Sequence, residues 1–201
     1  MTKDVNQTAN QNKKPSELEC RTPLLESARL LLRPFEMADA NDVYAACKEP
    51  ELGKGCGWPA HVSLEHSNAV LQTILIHPGT WAILSKADGR VIGSISLMEG
   101  EEANLALENE EAELGFWLNK DFWKQGLMQE AGSLVIAWAF EKRGKKRLKA
   151  AYATWNEASG NVQKRLGFEE AGEQNLYAGA LGLWRQSMVT VLEKEHWQNR
   201  K

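Results

Sequence analysis

The chain has 201 residues, 43% of them hydrophobic, and a formal net charge of −3 at neutral pH. That length fits one domain with room for a short appendage, and the charge balance argues against a nucleic-acid partner held by a broad basic face. No apolar run approaches the roughly 20 residues that span a bilayer, and none opens the chain as a signal peptide would.

A cytoplasmic protein with no membrane partner is therefore expected. Cys20, Cys47 and Cys56 are odd in number and show no C-x-x-C spacing, which points to free thiols rather than a disulfide or zinc framework. The four histidines, His61, His66, His77 and His196, form no ligand spacing, so no metal is expected.

Residues 1–20 are rich in Asn, Gln, Thr and Lys and poor in large apolar side chains. Such a segment buries too little surface to offset its ordering entropy, and a disordered tail is expected ahead of one domain over 21–201. Ala28 to Phe35 (ARLLLRPF) reads as a buried strand ended by Pro34. Met37 to Cys47 has helical spacing, and Gly53 to Pro59 (GKGCGWP) has loop chemistry around one aromatic, Trp58. Ser63 caps a second helix, and Thr80–Leu84 and Arg90–Met98 are strands joined through Asp88-Gly89, a hairpin signal. An acidic stretch from Glu99 to Glu111 leads into a fourth strand, Glu113 to Leu118.

The segment WKQGLMQEA, residues 123–131, stands ahead of a long helix with Leu127, Ala131, Leu134, Val135, Trp138 and Ala139 on one side. That helix is expected to end near Gly144. Arg147–Thr154 is a fifth strand and Asn156–Leu166 a short helix closed by Gly167. Two last strands are expected around Phe168–Glu173 and Trp184–Leu192, separated by a loop. This order predicts an α/β sandwich on a mixed sheet, not a doubly wound parallel one.

A helix opens with backbone N–H groups that lack intrahelical partners, and its dipole is positive there. Gly126 would let an anion come close to those amides because no β-carbon intervenes. By itself, however, a glycine in a strand-to-helix turn is also an ordinary turn residue.

Taken together, ELGFWL (113–118), WKQGLM (123–128) and NEASGNVQKRLGF (156–168) stand in an order that resembles the GNAT superfamily of acetyl-CoA-dependent N-acetyltransferases. The likeness is greatest to the branch of ribosomal-protein-alanine N-acetyltransferases, which ARLLLRPFEMADANDVYA and the GWP loop also resemble. It runs from about Leu25 to Trp197.

The resemblance implies a mostly antiparallel mixed sheet of about six to seven strands flanked by about four helices. It implies acetyl-CoA as co-substrate and an amine as acceptor, either a protein N-terminus or a small molecule. Phe116, Trp117 and Leu118 would offer strand backbone to the pantetheine arm. Lys124, Gln125, Gly126, Leu127, Met128 and Gln129 would wrap the pyrophosphate, and Asn156 would hydrogen-bond the cofactor arm. Departures from the family loop are Trp123 for Gln or Arg, Lys124 for a second glycine, and Met128 for a small residue. Met128 must therefore point away from the phosphates.

Acetyl transfer needs a base for the amine and can use an acid for the departing thiolate. Glu113, opening its strand, is the candidate base, although it also ends a solvated acidic run. Many family members place a tyrosine acid where this chain has Gln163. Ser159, three residues after Asn156, is the hydroxyl that the ribosomal-protein branch uses instead, and could equally be a first-turn residue that supports the cap. One subtype of that branch has a strand glutamate where this chain has Ala151.

Trp58 and Tyr177 lie in the two loops expected to wall the acceptor site. The expected protein is a monomer or homodimer that moves acetyl from acetyl-CoA to a primary amine by direct attack. The alternatives are a small-amine acetyltransferase, for an antibiotic or polyamine, and a non-catalytic acyl-CoA-binding module.

Overall fold

A computed structural model describes residues 21–200; the tail expected over residues 1–20 lies outside them. Eight strands form one sheet: β1 (Leu25–Glu26), β2 (Leu30–Pro34), β3 (Thr80–Ser85), β4 (Val91–Met98), β5 (Glu111–Leu118), β6 (Arg147–Ala153), β7 (Glu169–Ala178) and β8 (Leu183–Glu193). Their spatial order is β1-β2-β3-β4-β5-β6-β8-β7. Every neighbouring pair is antiparallel except β5 with β6. The helices are α1 (Ala40–Cys47), α2 (Pro50–Cys56), α3 (Leu64–Val70), α4 (Leu127–Glu141), α5 (Glu157–Leu166) and α6 (Lys194–Gln198). The architecture is the expected α/β fold on a mixed, mostly antiparallel sheet, with eight strands rather than six to seven and six α-helices rather than about four among the described residues.

Alternation along the strands sorts the core into two layers. Leu30, Leu32, Trp81, Ile83, Ile95, Leu97, Ala112 and Leu114 face α4 and α5. Ala82, Leu84 and Val91 face the opposite side, against Val43, Ala46 and Cys47 of α1 and Leu71 and Leu75 after α3. Helix α4 buries pairs four residues apart, Leu127 and Met128, then Ala131 and Gly132, Val135 and Ile136, Ala139 and Phe140. That stripe is rotated from the one expected through Leu134 and Trp138, which lie half-buried at its margin.

Several boundaries differ from expectation for identifiable reasons. Gly53–Cys56 is not loop but the end of α2, because Pro50 at its first turn presets a helical φ and Gly57 then terminates it at φ +90. The last two strands run to Ala178 and from Leu183, so Tyr177 sits in β7 rather than in a loop. Only the short turn Gly179–Leu181 separates them. Ser63 does cap α3, its hydroxyl accepting from the His66 amide at 3.2 Å.

One feature of the sheet positions the site. Strand β5 pairs with β6 only at Glu111, Ala112 and Glu113, opposite Arg147, Leu148 and Lys149. Beyond Glu113, β5 stays with β4, up to Leu118 opposite Gly93. Meanwhile β6 stays with β8, up to Ala153 opposite Ser187. The two middle strands therefore diverge, and Leu114–Leu118 present one backbone edge with no strand beside it.

Gly93 helps hold β5 on its side of this opening. A β-carbon at 93 would lie 2.5 Å from the Trp117 carbonyl oxygen. Gly93→Ala is expected to push β4 and β5 apart and to cost about 1–3 kcal/mol, the usual range for overpacking. Urea unfolding of the variant measures this, and unchanged stability would show that the strands separate freely.

Candidate functional site

Helix α4 begins directly beside the opening. Its N-cap, Gly126, has φ +75 and offers no side-chain cap, so the first amides of the helix are unpartnered within it. Lys124 also takes a left-handed conformation, φ +60, while Gln125 between them does not. Alternation of this kind curls successive N–H groups round a concavity suited to an anion. Leu127 and Met128 bury their side chains in the core beneath α4. Met128 thus meets the condition that its size imposes, and leaves the cradle to backbone.

Arg29 of the sheet edge is a site residue that the sequence reading missed. Its Nη1 donates to the Gln125 carbonyl at 3.0 Å, and its Nε donates to Glu130 Oε2 at 2.7 Å. In a trans peptide the carbonyl and the next N–H point opposite ways. Drawing the Gln125 carbonyl toward Arg29 therefore turns the Gly126 N–H outward, to the cradle side. Burial works against the Glu130 charge, but the Ser27 hydroxyl and Arg29 hold its carboxyl below the usual range. No local pattern around Arg29 signals this role, because its partners are 96 to 101 residues away.

The expected strand contacts are partly committed elsewhere. Leu118 is buried, and its carbonyl accepts the Trp123 indole N–H at 2.6 Å. One of that carbonyl's two lone pairs is therefore already taken. This explains the departure at 123, because the indole closes the end of β5 and packs into both core layers. Phe116 packs toward α4 and Trp117 toward the opposite layer; the Trp117 carbonyl is turned to Gly93 of β4, which leaves the Phe116 backbone on the open edge of β5.

Asn156 caps α5, its Oδ1 accepting from the Ser159 amide at 3.2 Å, and its Nδ2 donates to the Gly55 carbonyl at 3.3 Å. One Nδ2 hydrogen remains for a ligand.

Ser159 lies in the first turn of α5, where β6 has just ended at the mouth of the opening. Gln163, at the expected tyrosine position, is buried and fully engaged. Its Oε1 accepts from Thr190 at 2.7 Å, while its Nε2 donates to the Ala151 carbonyl at 3.4 Å and to Ser159 Oγ at 3.3 Å. A carbonyl can only accept, so the contact to Ala151 sets which end of the amide is nitrogen. Ser159 Oγ is thus an acceptor from Gln163, which leaves its own proton to donate outward.

Glu113 stands at the apex, the last residue of β5 paired with β6. Its Oε2 accepts from the amides of Asn104 and Leu105 at 2.6 and 2.9 Å, and its Oε1 from Asn104 Nδ2 at 3.3 Å. The carboxylate therefore anchors the preceding loop and keeps one lone pair on Oε1. Four other members of the acidic run form ion pairs, whereas Glu101 and Glu108 stay exposed. Glu99 pairs with Arg143 and Lys145, Glu102 with Arg21, Glu110 with Lys146, and Glu111 with Arg147 and Lys149.

The two acceptor-wall aromatics part company. Trp58 follows α2, is half-buried, and tilts against His61 at 5.5 Å between ring centres. Tyr177 is exposed and paired with Trp184 across the hairpin. Even-numbered residues of β8 such as Thr190 and Leu192 face α4 and α5, so alternation puts Trp184 and Tyr177 on that side, away from Trp58.

Comparison with known proteins agrees with this geometry. Residues 29–169 match the family described as acetyltransferase (GNAT) domain. The chain is 28% identical over 160 residues to the uncharacterized N-acetyltransferase YoaA of Bacillus subtilis, covering 77% of this chain and 88% of that one. It is 32% identical over 84 residues to the ribosomal protein uS5-alanine N-acetyltransferase of Escherichia coli, 42% of this chain and 43% of that one. The fold superposes on a GNAT-family acetyltransferase from Bacillus anthracis with a TM-score of 0.73 at 17% identity, covering 86% of this chain and 99% of that one.

The chain belongs to the GNAT acetyltransferase family. It is an N-acetyltransferase, and its acetyl donor is acetyl-CoA. Among the described residues, no helix is long and apolar enough to cross a membrane.

Gly126 links the fold to donor binding. A β-carbon there meets only Arg29 Nη2, at 3.8 Å, so space is not the constraint; the left-handed φ is. Gly126→Ala should cost about 1–2 kcal/mol in stability and weaken acetyl-CoA binding. Gly126→Glu should remain folded and lose binding altogether, since its carboxylate would occupy the anion's place. Calorimetric titration beside circular dichroism reads both, and undiminished affinity in a folded Glu variant would make the glycine a plain turn residue.

Proposed function

We propose that this enzyme acetylates a primary amine by direct attack within a ternary complex, with a protein N-terminal amine as acceptor. The observation that carries the reading is the divergence of β5 from β6, open beside the uncapped start of α4 and flanked by Ser159. A thioester lying in the gap could hydrogen-bond to the free edge of β5, while its phosphates meet Lys124 through Gln129. The amine would enter from the opposite face, past Trp58.

The amine nitrogen forms the new bond to the acetyl carbon as the carbon–sulfur bond breaks. Glu113 would take the amine proton on the lone pair left at Oε1, and Ser159 would give its proton to the thiolate. Protein-amine acetylation is supported by the named activity of the Escherichia coli relative. A cytoplasmic setting is part of this reading, and a monomer or homodimer satisfies the geometry, since each site is built from one chain.

Thiol release from acetyl-CoA, screened over N-terminal peptides, polyamines and aminoglycosides, tests the assignment. Turnover on peptides is expected; turnover only on small amines transfers the acceptor to that class, and none on any amine leaves an acyl-CoA-binding module.

Glu113→Gln should reduce turnover by about 10²-fold or more, in the range of general acid–base groups. If stability falls while turnover drops less than about threefold, well short of that range, Glu113 only anchors its loop. Ser159→Ala should lower kcat with acetyl-CoA affinity unchanged, and full activity would return Ser159 to helix capping.

A further inference from the structure

Among the described residues, two buried side-chain polar atoms lack any hydrogen-bond partner, and both belong to one guanidinium: Nε and Nη1 of Arg185. No carboxylate of the described residues forms an ion pair with it. An unpaired buried donor destabilises a fold, more so when it carries charge. A cation kept under that penalty calls for a partner from outside the chain.

The surroundings make room for the guanidinium and leave its charge unbalanced. Gly57 ends α2 at φ +90, and a β-carbon there would lie 2.9 Å from the guanidinium carbon and from both terminal nitrogens. Any side chain at 57 would displace the group. Cys56 beside it supplies no counter-charge: burial pushes its thiol up to about 12, despite the opposing pull of Arg185. At neutral pH the neighbour is a neutral thiol.

The location is the acceptor's side of the site. Arg185 lies two residues beyond the last pairing of β8 with β6, at Ser187 opposite Ala153. Its contact with Gly57 puts it on the α2 face, opposite Trp184. The same Gly55–Gly57 turn is tied to Asn156, at the mouth of the opening, through the Gly55 carbonyl. A molecule entering past Trp58 therefore meets this cation before it reaches the thioester.

We propose that Arg185 recognises a carboxylate on the acceptor, so that the amine acetylated here belongs to a molecule that also carries an acidic group. One guanidinium balances one negative charge, which matches a carboxylate better than a phosphate near −2. The inference rests on the acetyl-transfer reading above and adds the substrate class. The carboxylate has two sources, the main-chain acid of a free amino acid or an Asp or Glu side chain near the start of a peptide.

Matched acceptors separate the possibilities: amino acids against their amides, and acidic N-terminal peptides against their Asn or Gln counterparts. The acid member of one pair is expected to show a KM lower by about tenfold, equivalent to one decade in binding. Arg185→Met should raise that KM alone, leaving kcat and the amide member unchanged, and Arg185→Lys should restore part of the preference. The responding pair identifies the source, and equal KM values within both pairs overturn the proposal.

A second measurement does not depend on turnover. The Arg185 Nε–H resonance, assigned by its loss in Arg185→Met, should shift on adding the acidic acceptor and not on adding its amide. A shift without turnover on any amine would sink the acetyl-transfer reading and keep the carboxylate site. Turnover without a shift would do the reverse. Arg185→Met should also melt no lower than wild type, because it removes an uncompensated charge; a fall of several degrees would make the guanidinium structural and end the proposal.

Discussion

Three residue pairs hold β5 against β6, and then the pairing stops. Most of what the protein can do depends on that interruption. A continuous sheet would satisfy every backbone group internally and offer a ligand nothing. By parting, the strands expose an edge of β5 in the middle of the sheet, where donors are held by the fold. Such an edge is ordinarily a liability. Here it is short, and it is flanked by the starts of two helices.

The parting has to be held open, and the hydrogen bonds show how. On one arm, Gly93 admits the Trp117 carbonyl, and the Trp123 indole caps the Leu118 carbonyl. On the other, Gln163 donates to the Ala151 carbonyl, where β6 has lost its parallel neighbour, and Thr190 of β8 donates to Gln163. Gln163 thereby does two things at once. It supports the splayed strand, and it supplies the hydrogen bond that fixes Ser159 as an acceptor.

The two faces of the sheet divide the work. At the start of α4, the concavity is backbone, positioned by Arg29, just ahead of β2, and by Glu130 of α4 itself. Beyond α2, Trp58 and Arg185 lie on either side of a glycine turn, the side chains proposed to recognise the acceptor. The acidic run that could have steered a cationic amine is partly occupied by ion pairs. Exposed pairs of that kind contribute little stability each, but they weaken the run as a long-range attractor.

Local pattern in the sequence determined a good deal: the strand–glycine–helix passage at Gly126, the hairpin at Asp88-Gly89, the Ser63 cap, and the order of elements that marks the family. These are short-range effects, decided by φ preference, capping and periodicity within a few residues, so they are legible in one dimension. What the tertiary structure alone decided is where polar groups end their hydrogen bonds. The Leu118 carbonyl accepts from Trp123, Glu113 is drawn to the 104–105 amides, and Tyr177 is turned to the wrong face by strand alternation. Arg29 reaches Gln125, and Arg185 reaches Gly57 without finding an anion. Each of the last two contacts joins residues about a hundred or more apart in the chain, and no local preference encodes them. They exist because packing two layers against one sheet leaves particular donors facing particular acceptors, and one donor facing none.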